Sequence, residues 1–231
     1  MVHHLLLLAA CATATVIVPN VPLPAMYENG YTMGKEGSGG HQTLDVFLGP
    51  FCEDSKRMYP ILAQLAKARE GATTIRAHIF PLPYNIGSWP LAQACAAAAI
   101  ISNSSSTAVD CLGLIYEGSN QRSIKTRAMV NATTPQLIDA IVQLLAAPLG
   151  VDGAALQNQL AQGLESGASS YDKAKADWKY GCARGVFATP SVFLNGIQLH
   201  GYDDAGPPGG GHAEGDLAAL TVEQWVGVLD P

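Results

Sequence analysis

Two short segments of this chain contain residues that could carry out thiol chemistry. Residues 47–55 read Phe-Leu-Gly-Pro-Phe-Cys-Glu-Asp-Ser, and residues 185–196 contain the pair Thr189-Pro190. Cys52 follows a β-like run and stands where a helix should begin. A helix N-terminus presents unpaired N–H groups and the positive end of the helix dipole, and both stabilise a thiolate. The first segment therefore predicts a nucleophilic cysteine, Cys52.

Ser55 limits the chemistry that this cysteine could perform. In a Cys-x-x-Cys site the second thiol resolves the mixed disulfide and so permits net oxidation or reduction. Ser55 occupies that second position and cannot resolve a disulfide, although we expect its hydroxyl to donate a hydrogen bond to the sulfur. Cys182, eight residues before Pro190, is the candidate for a resolving thiol from elsewhere in the chain.

The local charges and a nearby histidine leave alternatives open. Glu53 and Asp54 disfavour a thiolate beside them, although acidic residues also suit the first turn of a helix. Cys52 could instead be a small buried hydrophobic residue. His78 could be a proton donor near Cys52, but a core histidine is the more ordinary interpretation.

The composition indicates a globular protein without a nucleic-acid partner. The chain has 231 residues, of which 48% are hydrophobic and 14% charged, and its formal net charge is −6. This hydrophobic content is enough for one sizeable domain and too high for a disordered chain. Proteins that bind nucleic acids or anionic membranes carry basic clusters, and the sequence contains none.

Residues 1–25 are typical of a signal peptide and leader. An apolar stretch over residues 5–14 contains small residues, and prolines follow up to residue 24. The stretch is short for a membrane span, so an uncleaved anchor is the alternative by which the protein would meet a membrane. A bacterial lipoprotein site at Cys11 is a minor alternative. Sequons at Asn103 and Asn131 agree with a secreted glycoprotein if the source is a eukaryote, so we expect a secretory or extracellular location.

The cysteine pattern permits disulfides and argues against a metal. Removal of a signal would take Cys11 and leave four cysteines. Cys95 and Cys111 lie in consecutive helical stretches and could bridge a helical hairpin, but the pairing cannot be assigned from the sequence. No two cysteines have zinc-site spacing. Potential metal ligands lie in a Gly-rich segment: His200, Asp203, Asp204 and His212. We interpret this segment as a solvated loop, so we expect no metal.

The apolar patterns predict an α/β order of elements. Residues 25–42 are interpreted as a polar leader, and strands are predicted at 43–48 and 74–80 with a helix from 52 to 69 between them. Asp45 is unusual in a strand, so we expect it at an exposed or functional end. Thr134-Pro135 is predicted to cap and open a helix. Asn195-Gly196 between apolar runs predicts a hairpin, and Thr221 a final capped helix.

In this order, two strand–helix units are separated by a block of helices. The compact solution is an α/β fold in which a βαβ half and a ββα half are split by a helical insertion. We place the main domain at 43–85 and 182–231 and the insertion at 86–181.

On these motifs the chain resembles the thioredoxin superfamily, specifically its DsbA-type branch with a helical insertion. It is most similar to a eukaryotic group of secreted thioredoxin-like proteins, which share a Pro-x-Cys-x-Asp-Ser motif, a Leu-Pro-Tyr segment and a Gly-Val-x-x-Thr-Pro loop. These motifs stand here at 50–55, 82–84 and 185–190. The resemblance implies that Pro190 is cis and that Thr189 presents its backbone to a substrate strand.

Three functions follow as hypotheses. The first is monothiol exchange through Cys52 with a cysteine-containing client protein or with glutathione as co-substrate, and without any other cofactor. The second is a non-catalytic module that binds an extended peptide. The third is a glutathione-conjugating enzyme of the kappa-like kind. Fold alone does not decide among them.

Overall fold

The computed structural model describes residues 30–35, 42–129, 132–162, 169–199 and 217–230. The predicted signal segment, the sequon at Asn131 and the four potential metal ligands between residues 200 and 212 lie outside the described residues. Within the described part, no three His, Cys, Asp or Glu side chains cluster as a metal site. Within those same ranges, no helix is both long and apolar enough to cross a bilayer.

A mixed sheet of five strands forms the centre of the described structure. The strands are β1 (Tyr31–Met33), β2 (Gln42–Leu48), β3 (Thr73–Ile79), β4 (Ser191–Leu194) and β5 (Ile197–Leu199), in the order β1-β3-β2-β4-β5. Only β2 and β3 are parallel, and the other neighbouring pairs are antiparallel. The pairing of β2 with β4 brings together two chain segments that are about 150 residues apart in sequence.

The described residues form eight α-helices around this sheet. They are α1 (Glu53–Ala68), α2 (Ser88–Ser102), α3 (Ser106–Tyr116), α4 (Asn120–Met129), α5 (Thr134–Leu149), α6 (Gly153–Ala161), α7 (Ser169–Ala183) and α8 (Val222–Leu229). Helices α2 to α7 all fall between β3 and β4. The α/β fold with a helical block inserted between the two strand units is therefore confirmed.

The two faces of the sheet bury different clusters, because side chains alternate along each strand. Leu44, Val46 and Leu48 of β2 are fully buried in the main core together with α1 and α8. Phe47 points to the opposite face, where it packs in a smaller cluster. The other members of that cluster are Phe80, Leu82, Val186 and Phe193, with Trp178 and Tyr180 of α7 against them.

Two details correct the expectations from the sequence. Residues 25–42 are not all leader, because 31–33 form the edge strand β1, whose Tyr31 and Met33 are buried. A three-residue strand between glycines gives too short a pattern to detect. The N-cap of α5 is Thr133 rather than Thr134, and its N–H donates to Gln136 Oε1 at 2.9 Å.

The hairpin and the last helix follow their local signals. Asn195 and Gly196 both have positive φ, at 49° and 83°, which is the conformation that a two-residue hairpin turn requires. Asn195 Oδ1 also accepts a hydrogen bond from the N–H of Thr43 at 2.9 Å, so the turn is fastened to β2. Thr221 and Gln224 form the capping box of α8.

A disulfide joins Cys95 of α2 to Cys111 of α3, with a sequence separation of 16. Both cysteines are fully buried in the main core. The bridge closes the helical hairpin that carries Asn103 at its exposed tip. It therefore restrains the inserted helices, chiefly by limiting the conformations of the unfolded chain.

We expect the Cys95→Ala/Cys111→Ala double variant to lose about 3 kcal/mol of unfolding free energy, the value for a loop of this length. Urea unfolding, with and without reductant, measures the loss. Reductant should destabilise the wild type and leave the variant unchanged. Equal sensitivity of both proteins would contradict the assignment.

A buried ionic cluster fastens α7 to the two central strands. His78 Nδ1 lies 2.9 Å from Asp177 Oδ1, and its Nε2 lies 3.2 Å from Asp45 Oδ1. Asp177 also accepts hydrogen bonds from the N–H groups of Gly30 and Ile79. Asp45 was expected at an exposed or functional end; it lies within β2 and is buried. Burial alone lowers the pKa of His78, but the charges and hydrogen bonds of Asp177 and Asp45 raise it above 6.5 overall.

The stabilisation from protonated His78 should fall as the pH rises. Because the pKa of His78 is raised in the folded state, its contribution to the unfolding free energy is complete below about pH 6.5. The contribution is lost as the pH rises through the folded-state pKa. We expect His78→Gln to cost about 3–5 kcal/mol at pH 6, because it leaves two buried carboxylates without a cation. Urea unfolding of both proteins from pH 6 to 9 measures the difference. A difference that does not narrow with pH would contradict this account.

Candidate active site

Cys52 is the N-cap of α1, directly after a tight turn that follows β2. The turn is closed by the Cys52 N–H, which donates to the carbonyl of Gly49 at 3.0 Å, and Pro50 occupies its second position, which proline favours. The Cys52 backbone is extended, at φ −89° and ψ 124°, as expected for an N-cap. Its thiol is free and half-buried. The sequence prediction of a cysteine at the start of a helix is therefore correct.

The Thr189-Pro190 loop lies against this cysteine. The Cys52 thiol donates a hydrogen bond to the carbonyl oxygen of Thr189 at 2.9 Å, and the bond between Thr189 and Pro190 is cis. The loop precedes β4, and the antiparallel pairing of β4 with β2 carries it to the end of β2. The structure thus brings together the two segments that the sequence singled out.

Ser55 is fully buried, and the hydrogen bonds of its hydroxyl are made to groups other than the thiol. Its Oγ accepts a hydrogen bond from the N–H of Gly49 at 3.1 Å and is also bonded to the hydroxyl of Tyr116. The sulfur of Cys52 accepts instead from the main-chain N–H of Ser55, at 3.5 Å. The contact expected from the Ser55 hydroxyl is therefore made by its backbone.

The groups around the Cys52 sulfur favour opposite protonation states of the thiol. The Thr189 carbonyl can bond only to the protonated thiol, whereas the N–H of Ser55 and the helix N-terminus favour the thiolate. From the sequence, the Asp54 carboxylate was expected to disfavour a thiolate at Cys52. In the structure it forms an ion pair with Arg57 at 2.6 Å. That pairing reduces the negative charge beside the sulfur.

The inserted helices also contribute to the site, which the sequence did not reveal. The Tyr116 hydroxyl donates to the carbonyl of Gly49 at 2.8 Å, and Gln121 Nε2 donates to the carbonyls of Pro50 and Cys52 at 3.0 and 3.3 Å. Burial and the nearby charge of Cys52 raise the pKa of Tyr116. More than 60 residues separate these side chains from the turn, so no local pattern could have indicated them.

Three solved structures that share this architecture are described as disulfide isomerases or thiol–disulfide exchange proteins. A candidate protein-disulfide isomerase from Pseudomonas syringae superposes with a TM-score of 0.61 at 19% identity, covering 82% of this chain and 94% of that one. The thiol-disulfide exchange protein alpha-DsbA2 from Wolbachia pipientis gives 0.58 at 13% identity, with 87% and 86% covered. A protein-disulfide isomerase from Novosphingobium aromaticivorans gives 0.57 at 16% identity, with 88% and 99% covered.

The chain has a DsbA-like thioredoxin fold. The match extends over nearly the whole length of each of these structures, so the helical block between β3 and β4 is included in it. At the level of sequence, no protein-family model and no curated protein matches the chain.

Cys182 stands near the end of α7 in this DsbA-like fold. Its thiol is free and exposed, and partial burial of the sulfur raises its pKa. The structure gives it no disulfide or hydrogen bond to Cys52 within the described residues. His78, the other candidate near the site, is held in the buried cluster with Asp45 and Asp177.

Gly49 provides the space in which the two loops meet. A Cβ atom at this position would lie 2.5 Å from Thr189 Oγ1, 3.2 Å from the Cys52 Cβ and 3.4 Å from the Thr189 Cβ. We expect Gly49→Ala to cost about 1–3 kcal/mol through overpacking. It should also speed alkylation of Cys52, because the Thr189 carbonyl, which bonds only to the protonated thiol, must move away. Urea unfolding and iodoacetamide labelling measure the two effects.

Two further variants control this prediction. Gly49→Ala/Thr189→Ala removes the closest of the three contacts and should reverse part of both effects. Gly227→Ala in α8 meets nothing within 4 Å, so it should raise stability by up to about 1 kcal/mol. If Gly49→Ala behaves like Gly227→Ala, the close packing of the loops is not a constraint.

Proposed function

We propose that this protein is a thiol–disulfide exchange protein that acts through Cys52 as a single thiol. The observation that carries the proposal is the free, half-buried Cys52 thiol at a helix N-terminus, 2.9 Å from the carbonyl that precedes cis-Pro190. Ser55 occupies the position of a second thiol. The DsbA-like fold is compatible with the proposal but does not decide it.

The proposed reaction is a reversible exchange of sulfur partners. The Cys52 thiol first loses its proton to solvent, and the thiolate attacks one sulfur of a client disulfide R–S–S–R′. The bond from Cys52 Sγ to R–S forms, the S–S bond breaks, and R′–S⁻ leaves with the electron pair. A second thiolate from the client or from glutathione then displaces Cys52 and forms a new disulfide. No net oxidation occurs, so the reaction rearranges disulfides.

The surroundings of Ser55 support a single-thiol mechanism. Its hydroxyl is buried and occupied by Gly49 and Tyr116, and an alcohol does not displace a thiolate from a disulfide. The mixed disulfide on Cys52 therefore persists until an external thiol arrives. A resolving role for Cys182 would require its thiolate, which the raised pKa of that thiol makes less available at neutral pH.

Exposed apolar side chains beside the site favour protein clients. Phe187, two residues before Thr189, is 78% exposed, and Tyr84 and Ile86 on the loop after β3 are also exposed. The two loops start from one core, because Leu82 and Val186 pack in the same cluster. An unfolded client offers both the apolar segments and the cysteines that such a surface would bind. The same residues would serve a non-catalytic peptide-binding module, which is the second candidate.

An oxidising compartment fits both candidates. The Cys95–Cys111 disulfide is buried, and such bridges persist in secreted proteins and in the lumen of secretory organelles. The predicted signal peptide and the exposed sequon at Asn103 agree with this location.

Variants of three residues test the proposal. Disulfide isomerisation of a scrambled protein substrate, with glutathione present, should be abolished by Cys52→Ala and largely retained by Cys182→Ala. Ser55→Cys restores a second thiol beside Cys52. The disulfide between Cys52 and this new thiol, formed beforehand with glutathione disulfide, should accept two electrons from a reduced dithiol peptide and oxidise it without release of glutathione, which the wild type cannot do. Isomerisation that persists in Cys52→Ala would refute the proposal. Wild-type inactivity with retained binding of an unfolded client would favour the peptide-binding module.

A further inference from the structure

Gln121 reaches from the inserted helices into the turn that presents Cys52. It is the second residue of α4 and is 2% exposed. Its Nε2 group donates to the carbonyl of Pro50 at 3.0 Å and to that of Cys52 at 3.3 Å. The amide must be oriented with its NH₂ group toward the turn, since its oxygen would face two carbonyl oxygens in the reverse orientation.

This orientation leaves the other end of the side chain without a partner. Gln121 Oε1 is buried and accepts no hydrogen bond from the described residues. An unsatisfied buried oxygen destabilises a fold, so the amide is a poor choice for stability at this place. Unsatisfied groups of this kind in native structures call for an explanation, and a role in positioning the turn supplies one.

The same turn is held at its other end by Tyr116, whose hydroxyl donates to the carbonyl of Gly49. Three of the four carbonyls from Gly49 to Cys52 thus accept hydrogen bonds from side chains of the insertion. The thiol at the end of the turn bonds to the Thr189 carbonyl and to the Ser55 N–H. Any movement of the turn changes both of these contacts.

We propose that Gln121 is a positioning residue for Cys52: it fixes the turn so that the sulfur meets the Ser55 N–H at the helix N-terminus. The inference rests on the proposed function, because it concerns the reactivity of the same thiol. Gln121 does not contact the sulfur and acts through the main chain of Pro50 and Cys52. The helical insertion therefore sets the nucleophilicity of a cysteine that belongs to the sheet domain.

The test follows the pH dependence of Cys52 alkylation by iodoacetamide. The full chain carries Cys11→Ser and Cys182→Ser, so that Cys52 is the free thiol that remains beside the Cys95–Cys111 disulfide. Gln121→Leu keeps the volume and removes both donors. We expect the midpoint of the rate profile to rise by about one pH unit and the rate at pH 7 to fall about tenfold. The thiolate loses the charge-assisted bond from the Ser55 N–H, and this loss outweighs that of the neutral bond from the thiol to Thr189.

A buried glutamine elsewhere in the insertion provides the matched control. Gln93 is 4% exposed, and its Nε2 also donates to two acceptors, the carbonyl of Gln159 and the hydroxyl of Ser170. Gln93→Leu should lower stability at least as much as Gln121→Leu, measured by urea unfolding, without moving the alkylation profile. A general loosening of the insertion would move the profiles of both variants and would overturn the proposal.

The remaining outcomes are also decisive. An unchanged profile in Gln121→Leu, with a reactive parent protein, overturns the positioning role and leaves the exchange function intact. A parent in which Cys52 reacts no faster than in urea overturns the exchange function and the inference together. If Gln121→Leu does not fold, Gln121→Asn is judged by the same criterion, since its shorter amide cannot reach both carbonyls.

Discussion

The hydrogen bond from the Cys52 thiol to the Thr189 carbonyl joins two segments that are 137 residues apart, and the site depends on it. That contact requires β2 and β4 to be neighbours in the sheet, since each segment lies at the end of one of these strands. It also requires the absence of a side chain at Gly49, where the two loops meet. Strand pairing, close packing and the reactive thiol are therefore parts of one arrangement.

The helical insertion takes part in this arrangement. Its first two helices are linked by the Cys95–Cys111 disulfide, and the second of them ends at Tyr116, which bonds to the turn before Cys52. Its last helix, α7, is bonded to the central strands through His78 and leads into the Thr189-Pro190 loop. The insertion thus contacts the site from both sides, with neutral hydrogen bonds on one side and a buried ionic cluster on the other.

The sequence predicted those structural features that are determined by local residue patterns. Cys52, the hairpin turn at Asn195 and the capped last helix each depend on a few adjacent residues, and their patterns were sufficient. Tyr116 and Gln121 could not be found in this way, because an ordinary tyrosine and glutamine become part of the site only through tertiary contacts. Asp45 was recognised as unusual in a strand, but its partner His78 lies 33 positions away on a neighbouring strand.

The central claim is that Cys52 forms and holds a mixed disulfide by itself. Incubating the native full-length protein with glutathione disulfide at neutral pH, followed by mass spectrometry of its peptides, tests this claim most directly. We predict one glutathione on Cys52 that remains until a thiol is added, with Cys182 not joined to it. An unmodified Cys52, or a disulfide between Cys52 and Cys182, would contradict the account.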